Sequence, residues 1–219
     1  MFQELYEKLD KKKKSDILNL IAKDIVPVVL DEENATVIRC PVDFYPDYSL
    51  YEIADNNVMP PMRRFFMIND DHDKVFAVEY SRASIHELNE ACGLYLTEDN
   101  VRAYLKFFFN FSRGRHGRFL VLDNVDDIQW QEDPPLAARR AIASMIMPIE
   151  IYKVGADQSY DCHACFVFKD SLIKANVKIH QNGQIEIHNE EILVEDMPII
   201  DDSFAAWRKK FSTYKRIKN

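Results

Sequence analysis

Three arginines and one histidine are crowded into residues 113–118, Arg-Gly-Arg-His-Gly-Arg, which also contain two of the five glycines of the chain. Guanidinium groups bind carboxylates and phosphates through paired N–H donors, and glycine lets the backbone approach a ligand closely. The pattern therefore predicts an anion-binding contact made by Arg113, Arg115, His116 and Arg118.

The surroundings of this segment limit the kind of anion site that it can form. It follows the apolar run 105–111, which predicts a helix, whereas phosphate sites favour a helix N-terminus. Neither a Gly-Lys-Ser/Thr phosphate loop nor a Gly-x-Gly-x-x-Gly fingerprint occurs in the chain. A structural interpretation stays open, in which the cations face the negative end of the helix dipole and Gly114 ends the helix.

Two acidic clusters have side chains that could bind a metal or transfer a proton, but both have the composition of turns. Asp123, Asp126 and Asp127 follow a predicted strand that begins at Arg118. Residues 70–73, Asp-Asp-His-Asp, lack the ligand spacing and the glycine of a hard-metal loop. We expect turn chemistry at both places.

Two further motifs have part of a metal site. Residues 86–90, His-Glu-Leu-Asn-Glu, have glutamate where a zinc-protease helix carries its second histidine. Cys162 and Cys165 have the spacing of zinc and redox pairs, but only the isolated Cys40 and Cys92 remain to complete such a site. The sequence therefore predicts buried, reduced cysteines, no bound metal and no cofactor.

The C-terminal segment combines aromatic and basic residues. An aromatic side chain recurs every three or four positions from residue 204 to residue 214, and residues 208–219 hold six basic and no acidic side chains. This pattern predicts an amphipathic helix in which Trp207, Arg208, Lys209 and Phe211 are the candidate partner-binding residues. Docking of the helix on the acidic body of its own chain is the favoured interpretation, and docking on an acidic patch of a second subunit is a variant of it.

Composition and charge narrow the function classes. The formal net charge is −8, and the basic residues are concentrated at the two ends. An acidic body of this kind argues against broad nucleic-acid binding, which requires a basic face. No run of about 20 apolar residues predicts a membrane span, and the N-terminus has no signal-peptide pattern. The four cysteines do not suggest a disulfide framework, so we expect a cytoplasmic protein.

Periodicity predicts an α+β fold, with a mixed N-terminal α/β half followed by a C-terminal antiparallel β-meander and a terminal amphipathic helix. Residues 1–147 form the mixed region and residues 148–219 the meander with its helix, and the two can also pack as one compact domain. Helices are expected at 2–25, with an exposed turn or a break at lysines 11–14, and at 84–91, 97–111, 133–147 and 203–217.

Strands are expected at 36–42, 63–68, 74–80 and 118–122, followed by five short strands from residue 149 to residue 197. An irregular loop is expected up to residue 61. Ser84 and Glu87 have the form of a capping box at the start of the second helix, and Gly93 is placed to end that helix. Asn182 and Gly183 predict a two-residue type I′ turn.

These observations favour a non-catalytic binding protein that contacts an anionic small molecule or an acidic partner surface through the arginine-rich segment. An enzyme acting on a phosphorylated or carboxylated small molecule is the alternative. In that case Arg115 and Arg118 orient the substrate, and His116 or an aspartate from elsewhere in the chain transfers a proton. A third possibility is a subunit of a homo-oligomer or larger complex.

Overall fold

The computed structural model describes residues 6–22, 33–57, 62–114 and 117–200. The chain divides into two compact units, one formed by residues 1–79 and 83–95 and the other by residues 80–82 and 96–219. Within the described ranges there are two antiparallel sheets and four α-helices, so the predicted α+β class is confirmed. The predicted terminal helix, Ser203–Ile217, lies outside these ranges.

The first unit is built on a five-stranded antiparallel sheet whose strands are neighbours in chain order. The strands are β1 (Glu7–Lys8), β2 (Ala35–Pro41), β3 (Tyr48–Asp55), β4 (Met62–Asn69) and β5 (Val75–Ala77). The predicted hairpin around residues 69–73 is confirmed: β4 and β5 pair, and Asn69 accepts hydrogen bonds through Oδ1 from the backbone N–H groups of Asp73 and Lys74.

The N-terminal helix α1 spans Lys11–Ile21. The four lysines form its first turn, so the expectation of an exposed turn or a break at these residues was wrong. The reason is Asp10, whose carboxylate accepts a hydrogen bond from the Lys13 backbone N–H at 2.9 Å and caps the helix. Ile17 and Ile21 are buried against the sheet of this unit.

Strand β3 corrects the loop that was expected up to residue 61. All eight of its residues are buried, including Glu52, which pairs with Arg63 at 3.0 Å. A central strand that is buried on both faces loses the alternation of apolar and polar residues by which strands are recognised. Its tyrosines, serine and acids therefore resembled loop composition.

Helix α2 spans Arg82–Cys92, and Gly93 ends it with a φ of +71°. The predicted capping box was wrong, because the helix begins two residues before Ser84. The Ser84 hydroxyl accepts a hydrogen bond from the backbone N–H of Glu79 at 3.4 Å, which lies before the helix.

The second unit holds a six-stranded antiparallel sheet in the order β11-β10-β9-β7-β6, with β8 also paired to β9. The strands are β6 (Arg113–Gly114), β7 (Gly117–Leu122), β8 (Glu150–Val154), β9 (Tyr160–Phe168), β10 (Ser171–Ile179) and β11 (Ile185–Val194). The predicted meander is confirmed. The boundary at residue 147 stays a prediction, and β7, which precedes that residue, pairs with β9, which follows it.

Two details of the meander differ from expectation. The last two predicted strands form one strand, β11, whose pairing with β10 is irregular and in which Asn189 has a φ of +53°. The turn before β11 is a loop of three residues, 181–183, because the backbone N–H of His180 donates a hydrogen bond to the carbonyl oxygen of Gln184 and the strand pairing resumes there. Gly183 takes a φ of +80°, as expected for a type I turn followed by a bulge.

Helix α3 (Val101–Phe111) covers one face of this sheet, and seven of its eleven residues are buried. The Phe109 ring lies 5.1 Å from that of Phe166 and 5.8 Å from that of Phe119. The Tyr104 hydroxyl donates a hydrogen bond to the carbonyl oxygen of Gly183 at 3.0 Å. These contacts fasten α3 to both the strands and the β10–β11 turn.

The described residues cover the opposite face of the same sheet only in part. Helix α4 (Leu136–Met145) contributes the buried Ile142 to an apolar cluster that includes Leu122, Val167 and Met197. No helix in the described part of the chain has the length and apolarity required to cross a membrane.

We expect Tyr104→Phe to lower the free energy of unfolding by about 1–2 kcal/mol, because the buried Gly183 carbonyl loses its donor. Urea denaturation followed by circular dichroism measures this loss. Tyr152→Phe is the matched control in the same unit: its side chain is 49% exposed, so the change should stay within about 0.5 kcal/mol. Equal losses in the two variants would contradict the role of the Tyr104 hydroxyl.

Candidate functional site

The arginine-rich segment forms a tight β-hairpin. Strands β6 and β7 pair so that Arg113 lies opposite Arg118 and Gly114 opposite Gly117. The interpretation of Gly114 as the end of helix α3 was wrong, since the helix ends at Phe111 and Ser112 is already extended, with φ −103° and ψ 99°. Gly114 is thus a strand residue. We call residues 113–118 the arginine hairpin.

The hairpin depends on Gly117. Its φ of +130° lies beyond the left-handed helical region near +57°. Residues with a side chain are strained at a φ of +130°. A Cβ atom there would also lie 3.6 Å from Cε2 of Phe168. Glycine at this position therefore sets the direction in which the hairpin leaves the sheet.

Arg113 is held by an aromatic surface. The central carbon of its guanidinium lies 4.1 Å from the ring centroid of Tyr80, close enough for a cation–π interaction. The Tyr80 ring in turn lies 5.6 Å from that of Phe111, the last residue of α3. Part of the charge density that the sequence indicated is therefore used to fasten the hairpin to its own unit.

Arg118 lies beside a small recess. It donates a hydrogen bond from Nη1 to Oδ1 of Asn110 at 3.5 Å, and it lines a cavity of about 30 Å³ together with Gln129, Lys169 and Ile200. We call this cavity the Arg118 recess. Its volume suits one or two water-sized groups, such as the two oxygens of a carboxylate. Arg118, Lys169 and Gln129 thus line a space of carboxylate size.

Lys169 is the member of the recess that sequence reasoning missed. It lies in the two-residue turn between β9 and β10 and has a φ of +55°. Its Nζ lies 5.6 Å from the ring centroid of Phe168, whose ring stacks on that of Phe119 at 4.6 Å. The pairing of β7 with β9 brings Lys169 near Arg118 across some fifty residues of sequence, and no local pattern announces it.

The acidic cluster after β7 has the predicted turn chemistry. Asp127 accepts hydrogen bonds through Oδ2 from the backbone N–H groups of Asp123 at 2.8 Å and Asn124 at 3.1 Å. Asp123 also pairs with Lys106, and Asp126 pairs with Arg139 at 2.6 Å. The Asp127 carboxylate and the Asn124 side chain, which accepts a hydrogen bond from the Asp126 backbone N–H at 2.7 Å, cap a 3-10 turn at Val125–Asp127.

The acidic tip at residues 70–73 is a hairpin turn, as predicted. The Asn69 side chain donates a hydrogen bond to Asp73 at 2.6 Å, and Asp70 pairs with Arg39 at 3.3 Å. Among the described residues, His, Cys, Asp and Glu side chains form no group of three that could hold a metal ion.

All four cysteines are free and buried, as the sequence predicted. Burial raises the pKa of the Cys40 thiol to about 11 and the pKa values of the Cys92 and Cys162 thiols to about 12. Since the thiolate is the nucleophilic form, none of these three is activated near neutral pH. Cys162 and Cys165 lie on β9 and, three positions apart, belong to opposite faces of the strand.

A histidine-bearing patch on the second sheet was not recognised from the sequence. His180 and His188 each contact one oxygen of the Glu186 carboxylate through Nε2, both at 3.0 Å. Nearby, the ring of His163 stacks on that of Tyr152 at 4.4 Å. Strand register assembles this patch, since residues from β8, β9, β10 and β11 meet there.

The two histidines lower the pKa of the Glu186 carboxyl group. The hydrogen bond from His180 is the largest cause and the one from His188 the next. Because the folded-state pKa is depressed, the stabilisation is present above the ordinary pKa of glutamate. It is lost as the pH falls through the lower, folded-state value.

No protein-family model, curated protein or solved structure matches this chain. Of the predicted ligand-binding residues, Arg113 and Arg118 are described, whereas Arg115 and His116 lie outside the described residues. The predicted partner-binding residues also lie outside them; these are Trp207, Arg208, Lys209 and Phe211.

We expect Gly117→Asn to destabilise the chain by about 2 kcal/mol, because asparagine does not readily adopt a φ of +130°. Gly93→Asn is the matched control. Its φ of +71° is one that asparagine tolerates, and no atom lies within 4 Å of the added Cβ. Both changes restrict the unfolded chain equally, so the difference in unfolding free energy reports native strain. Equal costs would contradict the strain assigned to Gly117.

We expect His180→Ala and His188→Ala each to raise the pKa of Glu186 towards its ordinary value, with the larger effect from His180→Ala. Carbon-13 NMR titration of the Glu186 carboxyl group measures this directly. His86→Ala, in the other unit, serves as the control and should leave the titration unchanged. A wild-type Glu186 that titrates at the ordinary value would contradict the assignment.

Proposed function

We propose that this chain is a non-catalytic, cytoplasmic binding protein that contacts an acidic partner surface through the arginine hairpin and the Arg118 recess. The observation that carries the proposal is the convergence of Arg118 and Lys169 on one cavity of carboxylate size. Two cationic side chains at such a cavity favour an anionic group between them, because each can donate a charge-assisted hydrogen bond.

The size of the recess favours a partner side chain over a metabolite. Pockets for small molecules and cofactors usually enclose about 300–1,000 Å³. A cavity of about 30 Å³ has room for the head of an aspartate or glutamate side chain and not for a nucleotide or a sugar phosphate. The apolar side chain of Ile200, which is half exposed at the recess, adds surface for the rest of a partner.

The arrangement is supported by rigid neighbours. Arg113 is fastened to Tyr80, and Gly117 sets the course of the hairpin from β7. Arg118 itself follows directly in β7, which pairs with the buried strand β9.

The net charge of the chain sets the range of the interaction. Because the whole chain carries a formal charge of −8, its long-range field does not attract an acidic partner. The attraction arises at short distance, from Arg118 and Lys169. Added salt should therefore weaken binding only modestly, because it screens mainly those charges that lie more than about 10 Å apart. Removing Arg118 and Lys169 should weaken binding more than removing distant cations does.

The other readings of the sequence stay predictions. The enzyme alternative uses Arg115 and Arg118 with His116 or an aspartate, and Arg115 and His116 lie outside the described residues. A homo-oligomer would be recognised by light scattering at high concentration. The buried, free cysteines support the assignment to the reducing cytoplasm.

We expect Arg118→Ala/Lys169→Ala to weaken binding of a fluorescein-labelled, glutamate-rich peptide by about tenfold or more, measured by fluorescence anisotropy at low ionic strength. Arg113 is left unchanged, since its contact with Tyr80 would couple binding to stability. Inorganic phosphate, succinate and a nucleoside triphosphate are the small-molecule arms, and each should bind far more weakly than the peptide.

The control variant is Lys12→Ala/Arg64→Ala, which removes the same number of positive charges from exposed positions in the first unit. Equal loss of affinity in the two double variants, or tighter binding of a small anion than of the peptide, would overturn the proposal. Asp201 and Asp202 follow Ile200 in the sequence and are the nearest competing carboxylates along the chain. Asp201→Asn/Asp202→Asn is therefore expected to strengthen peptide binding.

A further inference from the structure

A second and larger depression lies in the same unit, with a volume of about 300 Å³. It lies between the segment that follows β7, helix α4 and the segment that follows β11. Its floor and walls are mostly apolar; the side chains that matter here are Trp130, Pro134, Ile142, Val194, Met197 and Pro198. We call it the Trp130 groove.

The groove contains a buried donor. The indole Nε1 of Trp130 is inaccessible to solvent and has no hydrogen-bond acceptor among the described residues. A buried N–H group without an acceptor costs about 1–3 kcal/mol, so such groups are rare in folded proteins.

The rim of the groove is acidic. Glu132, Asp133, Glu195 and Asp196 border it, and all four are exposed. Asp133 pairs with Arg139 at 3.6 Å, whereas the other three make no ion pair within the described part of the chain. An apolar groove with a carboxylate rim suits a segment that carries both aromatic and cationic side chains.

Helix α4 extends this apolar surface beyond the groove. Only Ile142 of its ten residues is buried, while Leu136 is 63% exposed and Met145 is 41% exposed. Ala138 lies at the groove itself. Met145 lies on the side of α4 that carries Ala138 and Ile142, whereas Leu136 lies on the opposite side, so Met145 is the exposed side chain that extends the apolar surface of the groove.

The chain itself supplies a segment of the matching chemistry. We propose that residues 203–219 dock in the Trp130 groove of their own chain, with aromatic side chains against its apolar wall and lysines facing the acidic rim. Their aromatic residues recur every three or four positions, and residues 208–219 carry six basic and no acidic side chains. The charges of segment and rim are therefore complementary.

The point at which the described chain ends supports this occupant. Ile199 forms a bridge with Trp130, and the backbone N–H of Ile200 donates a hydrogen bond to Gln129 at 2.8 Å. Met197 and Pro198, just before, line the groove. Trp207 lies seven positions after Ile200, and a stretch of that length can span up to about 25 Å, which is enough to reach the groove.

The linkage to the recess is also consistent. Ile200 lines the Arg118 recess, and the acidic pair Asp201–Asp202 follows it, before the basic segment begins. After Ile200 the sequence is first acidic and then basic. A chain leaving Ile200 would meet the cationic recess first and the acidic groove second, so each charged stretch would meet a surface of opposite charge. This docking does not depend on the proposed partner contact at the recess.

Zero-length carbodiimide cross-linking of the wild-type full chain tests the proposal, because it joins a lysine amine to a carboxylate only when the two are in contact. Tryptic mass spectrometry should find Lys209, Lys210, Lys215 or Lys218 joined to Glu132, Glu195 or Asp196. The equally exposed Glu90, in the other unit, serves as the internal control and should give no link to these lysines.

A mixture of nitrogen-14 and nitrogen-15 protein distinguishes the occupants. Links within one isotopic form support docking in the same chain. Mixed links in proportion to the two forms would show that a second copy supplies the segment and would overturn the proposal. Links absent from the rim, or spread evenly over exposed carboxylates, would also overturn it.

Tryptophan fluorescence gives a second measurement, since Trp130 and Trp207 are the two tryptophans of the chain. In Trp207→Phe, Trp130 reports on the groove alone. Adding Phe204→Ser/Phe211→Ser should increase acrylamide quenching of Trp130 and shift its emission to longer wavelength, because water replaces the segment. The control pair Phe204→Leu/Phe211→Leu keeps apolar side chains and should change little. Equal quenching in the serine and leucine variants would overturn the docking.

Discussion

The packing of helix α3 on strand β9 is the contact on which the second unit depends. The ring of Phe109 contacts Phe119 of β7 and Phe166 of β9, so one side chain of the helix packs on both strands. Phe119 also stacks on Phe168 of β9. β9 in turn pairs with β7 and β8 along one edge and with β10 along the other. β9 positions every feature to which we assign a role. The arginine hairpin extends from β7, Lys169 follows the end of β9, and the histidine patch lies across β8 to β11.

The described residues cover the two faces of this sheet differently, and both surfaces that we propose for binding lie where they leave the sheet incompletely covered. One face is closed by the apolar side of α3. The other is closed by α4 only around Ile142 and its neighbours, which leaves the Trp130 groove beside the helix and the Glu186 patch towards the far end of the strands. The recess and the groove also differ in charge, one being cationic and the other acidic. One short stretch, Met197–Ile200, contributes to both.

The sequence predicted those elements whose signals are local. Period-two patterns located most strands of the meander, and Gly93 marked the end of α2. Prediction from the sequence failed where the deciding interaction is non-local, or where the same residue type fits two different structural positions. β3 was missed because burial on both faces removes alternation, and Ser84 resembled a cap although it lies inside a helix. The arginine hairpin was located as a cationic segment, but Lys169 and Tyr80 join it only through strand pairing and packing. No spacing rule connects them.

The hydrogen bond from Tyr104 to Gly183 joins residues that are 79 positions apart. During synthesis, α3 leaves the ribosome well before β9, β10 and β11 exist to cover it. Seven of its eleven residues, four of them phenylalanines, are buried in the folded unit and would then form an exposed apolar surface that can bind other apolar surfaces. The nascent chain must shelter that helix by transient collapse or by a chaperone until its C-terminal strands arrive. Translational pauses between residues 111 and 160 would lengthen the period in which newborn chains associate with one another.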